Sequence, residues 1–143
     1  MSTTIIVAGT PTDAQRQAIL EPLQAHNTGM AGPYVAVPLT IMLRDNASNM
    51  DVGGLLGRSV YNWLYIELLA LPEHMRGKGH GSALMQAAED VARARGCVGI
   101  HLRTFEFQAR GFYEKLGYDC YGTLDDHPIG FKDFAMRKVL RLR

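Results

Sequence analysis

The chain has 143 residues, of which 47% are hydrophobic and 20% charged, and its net charge at pH 7 is +1. A charge this close to neutral gives no general attraction to nucleic acids or membranes, and no apolar run approaches the ~18 residues that span a bilayer. Because the two cysteines are isolated and the N-terminus lacks a basic start and a long apolar run, we expect a protein of the reducing cytoplasm, without disulfides or a signal peptide.

The first elements predicted along the chain are a strand and a helix. Residues 4–8 are apolar and β-branched, which favours a short strand. Thr10 is a suitable N-cap, with Pro11 at the first helical position. Pro22 should kink or restart this helix, and residues 27–29, Asn-Thr-Gly, should end it.

A run of three strands should follow. Apolar residues alternate with others from 34 to 43, and a period of two predicts a strand. Pro38 lies inside that strand and removes one hydrogen-bond donor, so we expect an edge position or a bulge. Residues 45–49 read as a hairpin turn, and two more strands are predicted at 52–61 and 63–71.

The second half alternates between helices and strands. Helical spacing of apolar residues predicts helices at 82–95 and 108–116, and apolar runs predict strands at 97–102, 118–124 and 131–140. The complete order is β-α-β-β-β-α-β-α-β-β. This order predicts an α/β fold with a mixed sheet and helices on both faces, as one domain over residues 1–143.

The clearest chemical signal is the segment 76–81, Arg-Gly-Lys-Gly-His-Gly, between a predicted strand and a predicted helix. Its glycines can expose backbone N–H groups, and the helix start adds unpaired donors and the positive end of the macrodipole. With two basic side chains beside it, this arrangement predicts a site for a phosphorylated ligand. The segment is neither a P-loop, since Gly81 precedes Ser82-Ala83, nor the G-x-G-x-x-G dinucleotide motif.

Two motifs carry a resemblance to a known family. The pattern R-x-x-G-x-G, formed by Arg76, Gly79 and Gly81, resembles the acyl-CoA pyrophosphate loop of the GCN5-related N-acetyltransferases (the GNAT superfamily). Residues 108–118, which read QARGFYEKLGY, are similar to the second signature of that superfamily and follow the first at the expected separation. With the segment joining them, the motifs cover residues 63–122.

The resemblance implies a GNAT-like fold and a function. The strand that ends near Leu71 would splay from the one that starts near Cys97, and the pantetheine arm of acetyl-CoA would occupy the V between them. The reaction implied is acetyl transfer from acetyl-CoA to a primary amine of a small molecule, or of a peptide or protein, by direct attack in a ternary complex. No metal, nucleic acid or membrane would take part. The protein could be a monomer or a homodimer.

The resemblance also implies a set of cofactor contacts. The backbone of the glycine loop and the Arg76 and Ser82 side chains would bind the pyrophosphate, while Leu69 and Leu71 would pair with pantetheine through their backbones. The Leu69 N–H would also serve as the oxyanion donor. The residues so implied are Leu69, Leu71, Arg76, Gly77, Lys78, Gly79, His80, Gly81, Ser82, Gln108 and Tyr113.

Two side chains are candidates for acid–base catalysis. A primary amine has a pKa near ~10 and is mostly protonated at neutral pH, so a base is needed. Glu67 lies two residues before Leu69, and in a regular strand both would share one face; Glu67 would take the proton directly or through water, or else be a structural acid paired with an Arg. Tyr113 matches the family's general-acid tyrosine. Its hydroxyl is expected at the mouth of the V, with Phe112 packing inward more fully.

Some positions leave alternatives open. Glu106 stands where many family members carry an Asn that touches the cofactor, and Gln108 is the candidate substitute. His127 lies in a loop, 125–130, that could border the acceptor together with the loop 27–34. The histidines show no metal-ligand spacing. The alternatives to an enzyme are a CoA-binding module of the same fold that transfers no acetyl group, and a phosphate-binding protein unrelated to CoA.

Overall fold

The computed structural model describes residues 1–141, and these fall into two compact units, Met1–Val35 and a second that begins at Ala36. In the first unit, residues 1–8 form no regular secondary structure, so the strand predicted at 4–8 is wrong. The side chains of Ile5, Ile6 and Val7 are exposed there. Strand propensity describes how well a side chain fits a paired, half-buried surface, and no strand pairs with this segment.

The first unit contains one helix, α1 (Asp13–Ala31), which begins two residues later than the sequence predicts. Its N-cap is Thr12, whose Oγ1 accepts a hydrogen bond from the Gln15 N–H at 3.1 Å, while the Thr12 N–H donates to Gln15 Oε1 at 2.9 Å. This reciprocal capping box satisfies two donors, which a cap at Thr10 could not do. The helix runs unbroken through Pro22 to Ala31, so the predicted end at 27–29 is also wrong.

The second unit is a six-stranded sheet with two helices. Its elements are β1 (Val37–Asp45), β2 (Met50–Val60), β3 (Trp63–Ala70), α2 (His80–Ala94), β4 (Gly99–Phe105), α3 (Arg110–Lys115), β5 (Asp119–Leu124) and β6 (Asp133–Val139). The strand order is β1-β2-β3-β4-β6-β5, with β3 and β4 parallel and every other pair antiparallel. The mixed α/β sheet is confirmed, and β1 lies at an edge, as Pro38 requires.

The two parallel strands separate before they end. Residue pairs join β3 to β4 from Trp63–Gly99 to Ile66–Leu102, although β3 continues to Ala70 and β4 to Phe105. The splay that the family resemblance implied is therefore confirmed. It opens a gap in the middle of the sheet, beyond the last residue pair of β3 and β4, Ile66–Leu102.

A β-bulge in β3 changes the side-chain alternation at the start of this gap. Ile66 and Leu68 pair with adjacent residues of β2, so Glu67 between them is an extra residue without a partner. Ile66 is buried in the core, and after the bulge Leu69 packs against that core instead of Leu68. The prediction that Glu67 and Leu69 share a face is therefore wrong, because it assumed an uninterrupted period of two.

Helix α2 packs across strands β1 to β4 and covers the core. Its buried face consists of Leu84, Met85, Ala88, Glu89 and Ala92. One buried member is charged: Glu89 forms an ion pair with Lys138 Nζ at 2.6 Å and accepts a hydrogen bond from the Tyr118 hydroxyl at 3.4 Å. Burial and the neighbouring carboxylate raise the pKa of Tyr118. No helix within residues 1–141 is long and apolar enough to cross a membrane.

The ends of β4 and α3 differ from the predicted ones in a way that matters for the cleft. Strand β4 begins at Gly99 instead of Cys97 and extends to Phe105 instead of Leu102, and α3 begins at Arg110 instead of Gln108. Apolar content alone placed the strand end too early. Arg103 and Thr104, which continue β4, are polar, although Thr104 is buried in step with Ile100 and Leu102.

Candidate active site

The gap between β3 and β4 leads into a cleft of about 790 Å³. It is lined by Glu67, Leu68, Leu69, Ala70, Leu71, Arg76, Gly77, Gly79, His80, Gly81, Ser82, Arg103, Thr104, Phe107, Gln108, Ala109, Phe112 and Tyr113. The two sequence motifs therefore meet across one cavity. Of the predicted site residues, Lys78 alone is not part of the wall among the residues described.

The glycine loop forms the start of α2 and one end of the cleft. Gly79 is the N-cap of α2 with φ of 85°, a left-handed conformation that strongly favours glycine. A Cβ at this position would meet no protein atom within 4 Å, so the space in front of it is open. The first-turn N–H groups of α2 have no partners within the helix. An open glycine cradle at a helix N-terminus has the geometry that binds phosphate groups.

Arg76 lies between the loop and the end of β3. Its Nε donates a hydrogen bond to the Leu71 carbonyl oxygen at 3.2 Å, and its side chain lines the cleft. This contact fixes the guanidinium beside the loop, as a pyrophosphate contact requires.

Glu67 faces the cleft and also has a basic neighbour. Its Oε2 lies 3.8 Å from Nη1 of Arg58, and both side chains are about half exposed. Arg58 in turn lies over the ring of Tyr65, 5.0 Å from its centroid. An exposed pair at this distance stabilises little, typically less than ~1 kcal/mol. The position of Glu67 in the cleft wall is consistent with a catalytic base, and its contact with Arg58 is consistent with a structural acid.

Tyr113 lies deeper than the sequence predicted. It is 7% exposed and belongs to the core, whereas Phe112 is only partly buried, so the prediction that Phe112 packs inward more fully is wrong. The reason is local: the Phe112 ring is held at the cleft against Gly81, where a Cβ would lie 3.1 Å from it. Tyr113 still lines the cleft. Burial raises the pKa of its phenol to about 12, so the hydroxyl keeps its proton at neutral pH.

The two residues considered at the end of β4 have different roles. Gln108 lines the cleft, and its Oε1 accepts a hydrogen bond from the Phe105 N–H at 2.8 Å, which closes the turn after the strand. Glu106 does not line the cleft. It exchanges two bonds with Lys132: its N–H donates to the Lys132 carbonyl at 2.8 Å, and its Oε1 accepts from the Lys132 N–H at 3.1 Å. Glu106 therefore fixes a loop, and Gln108 is the residue at the cleft.

Among the wall residues that the sequence did not predict, three lie together in the chain: Arg103, Thr104 and Phe107. Thr104 is buried, and its hydroxyl accepts a hydrogen bond from the Ala109 N–H at 3.3 Å. Ligands commonly bind at the carboxyl ends of parallel strands where the sheet opens, and all three residues lie at or just after the end of β4. The signal that could have found them is this position, which the early predicted end of the strand concealed.

Comparisons with known proteins agree with this geometry. A sequence profile described as "Acetyltransferase (GNAT) family" matches residues 40–118. Acetyltransferase Atu2258 of Agrobacterium fabrum is 40% identical over 113 residues, which are 78% of this chain and 82% of that protein. Blasticidin-S acetyltransferase of Streptomyces morookaense is 39% identical over 89 residues, or 62% of this chain and 65% of that protein. The crystal structure of an acetyltransferase from Bacillus cereus superposes with a TM-score of 0.80 at 29% identity, covering 94% of this chain and 98% of the other.

Proposed function

The chain belongs to the acetyltransferase (GNAT) family, and from this premise we propose that it transfers the acetyl group of acetyl-CoA to a primary amine of a small molecule or a peptide. The observation that carries the proposal is the single cleft that both signature motifs line. The two cysteines of the chain, Cys97 and Cys120, are free thiols, which fits the reducing cytoplasm expected from the sequence. The number of subunits stays open, with a homodimer as the alternative to a monomer.

The loop residues supply the grip on the cofactor. The N–H groups of the glycine loop and of the first turn of α2 would bind the pyrophosphate, together with the Arg76 guanidinium and the Ser82 hydroxyl. Lys78 and His80 would flank it, with Lys78 contributing through its backbone because its side chain is not part of the wall. Beyond the bulge, the backbones of Leu69 and Leu71 would pair with the amides of pantetheine in the gap of the sheet.

Besides binding the cofactor, the reaction requires a base for the amine, a donor to the oxyanion and an acid for the thiolate, and the cleft has a candidate for each. Glu67 would bind the acceptor ammonium and take its proton, directly or through water. The neutral amine would then attack the thioester carbonyl, forming the C–N bond, while the Leu69 N–H stabilises the carbonyl oxygen as it gains charge. Tyr113 would give its proton to the sulfur as the C–S bond breaks, and the second proton lost by the nitrogen would return the phenol to its neutral form through water. Gln108 would hold the turn that presents Tyr113.

An assay for free thiol tests the proposal. Acetyl-CoA would be incubated with the protein and a panel of primary amines, which includes blasticidin S because one relative is named for it, and mass spectrometry would identify the acetylated product. We expect amine-dependent thiol release. Binding of CoA without release for any amine would contradict the enzyme and favour a CoA-binding module. Tighter binding of ATP or NAD than of CoA in a titration would contradict the family site altogether.

A further inference from the structure

The side chains of the site divide between the two faces of the sheet. On β4, Ile100, Leu102 and Thr104 are buried on the face that α2 covers, so Arg103 lies on the opposite face. Glu67 lies towards that same opposite face. It contacts Arg58, which lies over the ring of Tyr65, and Tyr65 contacts the ring of His101, a β4 residue on the face opposite Ile100 and Leu102. The glycine loop leads directly into α2, so the phosphates would bind on the covered side and the acceptor would enter from the other.

Arg103 is held in place by a buried acid. Its Nε contacts Asp133 Oδ2 at 3.1 Å, and the same oxygen lies 2.9 Å from His127 Nδ1. The Asp133 side chain is 4% exposed, whereas those of Arg103 and His127 are 46% and 55% exposed. Its second oxygen, Oδ1, is buried without a hydrogen-bond partner among residues 1–141.

This arrangement is costly for stability and therefore calls for a reason. Removing a carboxylate from water costs several kcal/mol, and one unsatisfied oxygen adds to that cost. Because Arg103 and His127 are both about half exposed, their contacts with Asp133 do not serve to fill the hydrophobic core. A buried anchor of this kind fixes the orientation of a side chain that would otherwise move freely, which is how binding groups are preorganised.

The fixed guanidinium still has donors to offer. Asp133 takes the Nε group, and within residues 1–141 no hydrogen bond is recorded for the two terminal nitrogens of Arg103. The planar fork of arginine matches a carboxylate or phosphate with two parallel hydrogen bonds. Phe107, a residue that is 56% exposed, lines the same cleft. The outer side of the cleft thus combines an acid at Glu67, a fixed cation and an apolar ring.

We propose that Arg103, positioned by Asp133, binds an anionic group of the acceptor, so that the substrate is a primary amine that also carries a carboxylate or a phosphate. This inference rests on the proposed function and names the substrate class for the same site. The ammonium would meet Glu67 on one splayed strand, and the anion would meet Arg103 on the other. A polyamine without an anionic group would place a positive charge against the guanidinium and bind less well.

Matched substrate pairs test the assignment. Each amine acetylated by the wild-type protein would be compared with its analogue in which the carboxylate is a carboxamide or the phosphate a hydroxyl, and these two arms distinguish the anions. We expect the analogue to lose about tenfold or more in kcat/KM. With the anionic amine, Arg103→Gln should lose a similar factor in kcat/KM through a higher KM, whereas with the analogue it should lose little. Arg103→Lys should recover part of the kcat/KM lost with the anionic amine.

The controls separate this subsite from the cofactor site and from folding. Arg44→Gln breaks an exposed ion pair with Asp51 outside the cleft and should behave as wild type. Calorimetry should give one CoA Kd for the wild-type protein and both Arg103 variants. Equal rates for amines with and without the anionic group, or a weaker CoA Kd in Arg103→Gln, would overturn the proposal.

Direct binding distinguishes the two levels of inference. Phenylalanine and O-phosphoethanolamine, with their counterparts that lack the anionic group, 2-phenylethylamine and ethanolamine, would be titrated into the CoA-loaded protein. Selective binding of an anionic amine that is lost in Arg103→Gln, but without acetyl transfer, would contradict the enzyme and support the subsite. Turnover only of amines that lack an anionic group would support the enzyme and contradict the subsite. Neither binding nor turnover of any anionic amine would overturn the subsite.

Discussion

Tyr113 belongs to the core and to the cleft at once. Its ring packs near those of Phe112 and Tyr118, with centroids 5.0 and 5.9 Å away, and the residue also lines the cavity. An acid in such a place holds its proton tightly, because burial raises the pKa to about 12. The phenol is therefore in the state needed to protonate a leaving thiolate throughout the neutral range.

Replacing Tyr113 by Phe tests this role. The substitution keeps the ring and removes the proton donor, so kcat should fall about 10²-fold while the KM for acetyl-CoA stays nearly constant. Deprotonation of this phenol should not lower the wild-type rate until the pH approaches 12. The variant should lack this alkaline fall in rate. Phe variants with full kcat, measured by thiol release, would leave water as the acid.

The same shift has a consequence for stability. The folded-state pKa lies above the unfolded value near 10, so this contribution is fully present below pH 10 and is lost as pH rises towards 12. Denaturant unfolding of Tyr113→Phe should accordingly show a shallower loss of stability across that window than the wild-type protein does. At pH 7 the two proteins should differ little.

A second residue-scale prediction concerns Glu67. If it takes the amine proton, Glu67→Gln should lower kcat/KM and raise the pH of half-maximal rate, with the CoA Kd unchanged. The lost contact to Arg58 should change the unfolding free energy by less than ~1 kcal/mol, because the pair is exposed. Glu73→Gln, at an exposed acid outside the cleft wall, is the matched control. A wild-type pH profile in Glu67→Gln would assign the residue a structural role.

At the scale of elements, the loop before α2 can be tested with a matched pair of glycines. Gly79 and Gly130 have φ of 85° and 88°, and a Cβ at either would meet nothing within 4 Å. Valine at each site should therefore cost similar stability, about 1–2 kcal/mol. Only Gly79→Val should weaken CoA binding, by at least tenfold in calorimetry, because only there would a ligand fill the open space. An unchanged Kd for Gly79→Val would remove the loop from the site.

Elements with local signals were predictable from sequence, and those set by tertiary contacts were not. The glycine loop, the hairpin at 45–49 and helix α2 depend on short-range patterns, and each is found close to its predicted position. The bulge at Glu67 depends on how β2 pairs with β3. Apolar residues at 4–8 carry the local preference of a strand, but a strand needs a partner that the local pattern does not specify.

The same distinction applies to the site. Motif matches identified the loop and Tyr113 because their spacing is short. Arg103 and Asp133 are 30 positions apart, and only the pairing of β4 with β6 brings them together. An interaction of this kind leaves no periodicity in the sequence. For that reason the contact of Arg103 with Asp133 could not be predicted from the sequence, whereas the glycine loop at the start of α2 could.

For the whole molecule, binding of CoA should appear as thermal stabilisation. A ligand that binds only the folded state adds about 2.7 kcal/mol when its free concentration is 100 times Kd. For a domain of this length that amount corresponds to a rise in Tm of roughly 5–10 °C. A thermal-shift titration should give this rise with CoA and acetyl-CoA and almost none with NAD. A rise with NAD equal to that with CoA would contradict the assignment.

The interrupted pairing of β3 and β4 also has a mechanical consequence. The sheet consists of one half from β1 to β3 and another from β4 to β5, joined by four residue pairs from Trp63–Gly99 to Ile66–Leu102. The line along which the sheet is weakest therefore runs into the cleft itself. A ligand whose amides bridge the two strands completes the ladder where the protein omits it, and so acts as a removable strand that joins the halves.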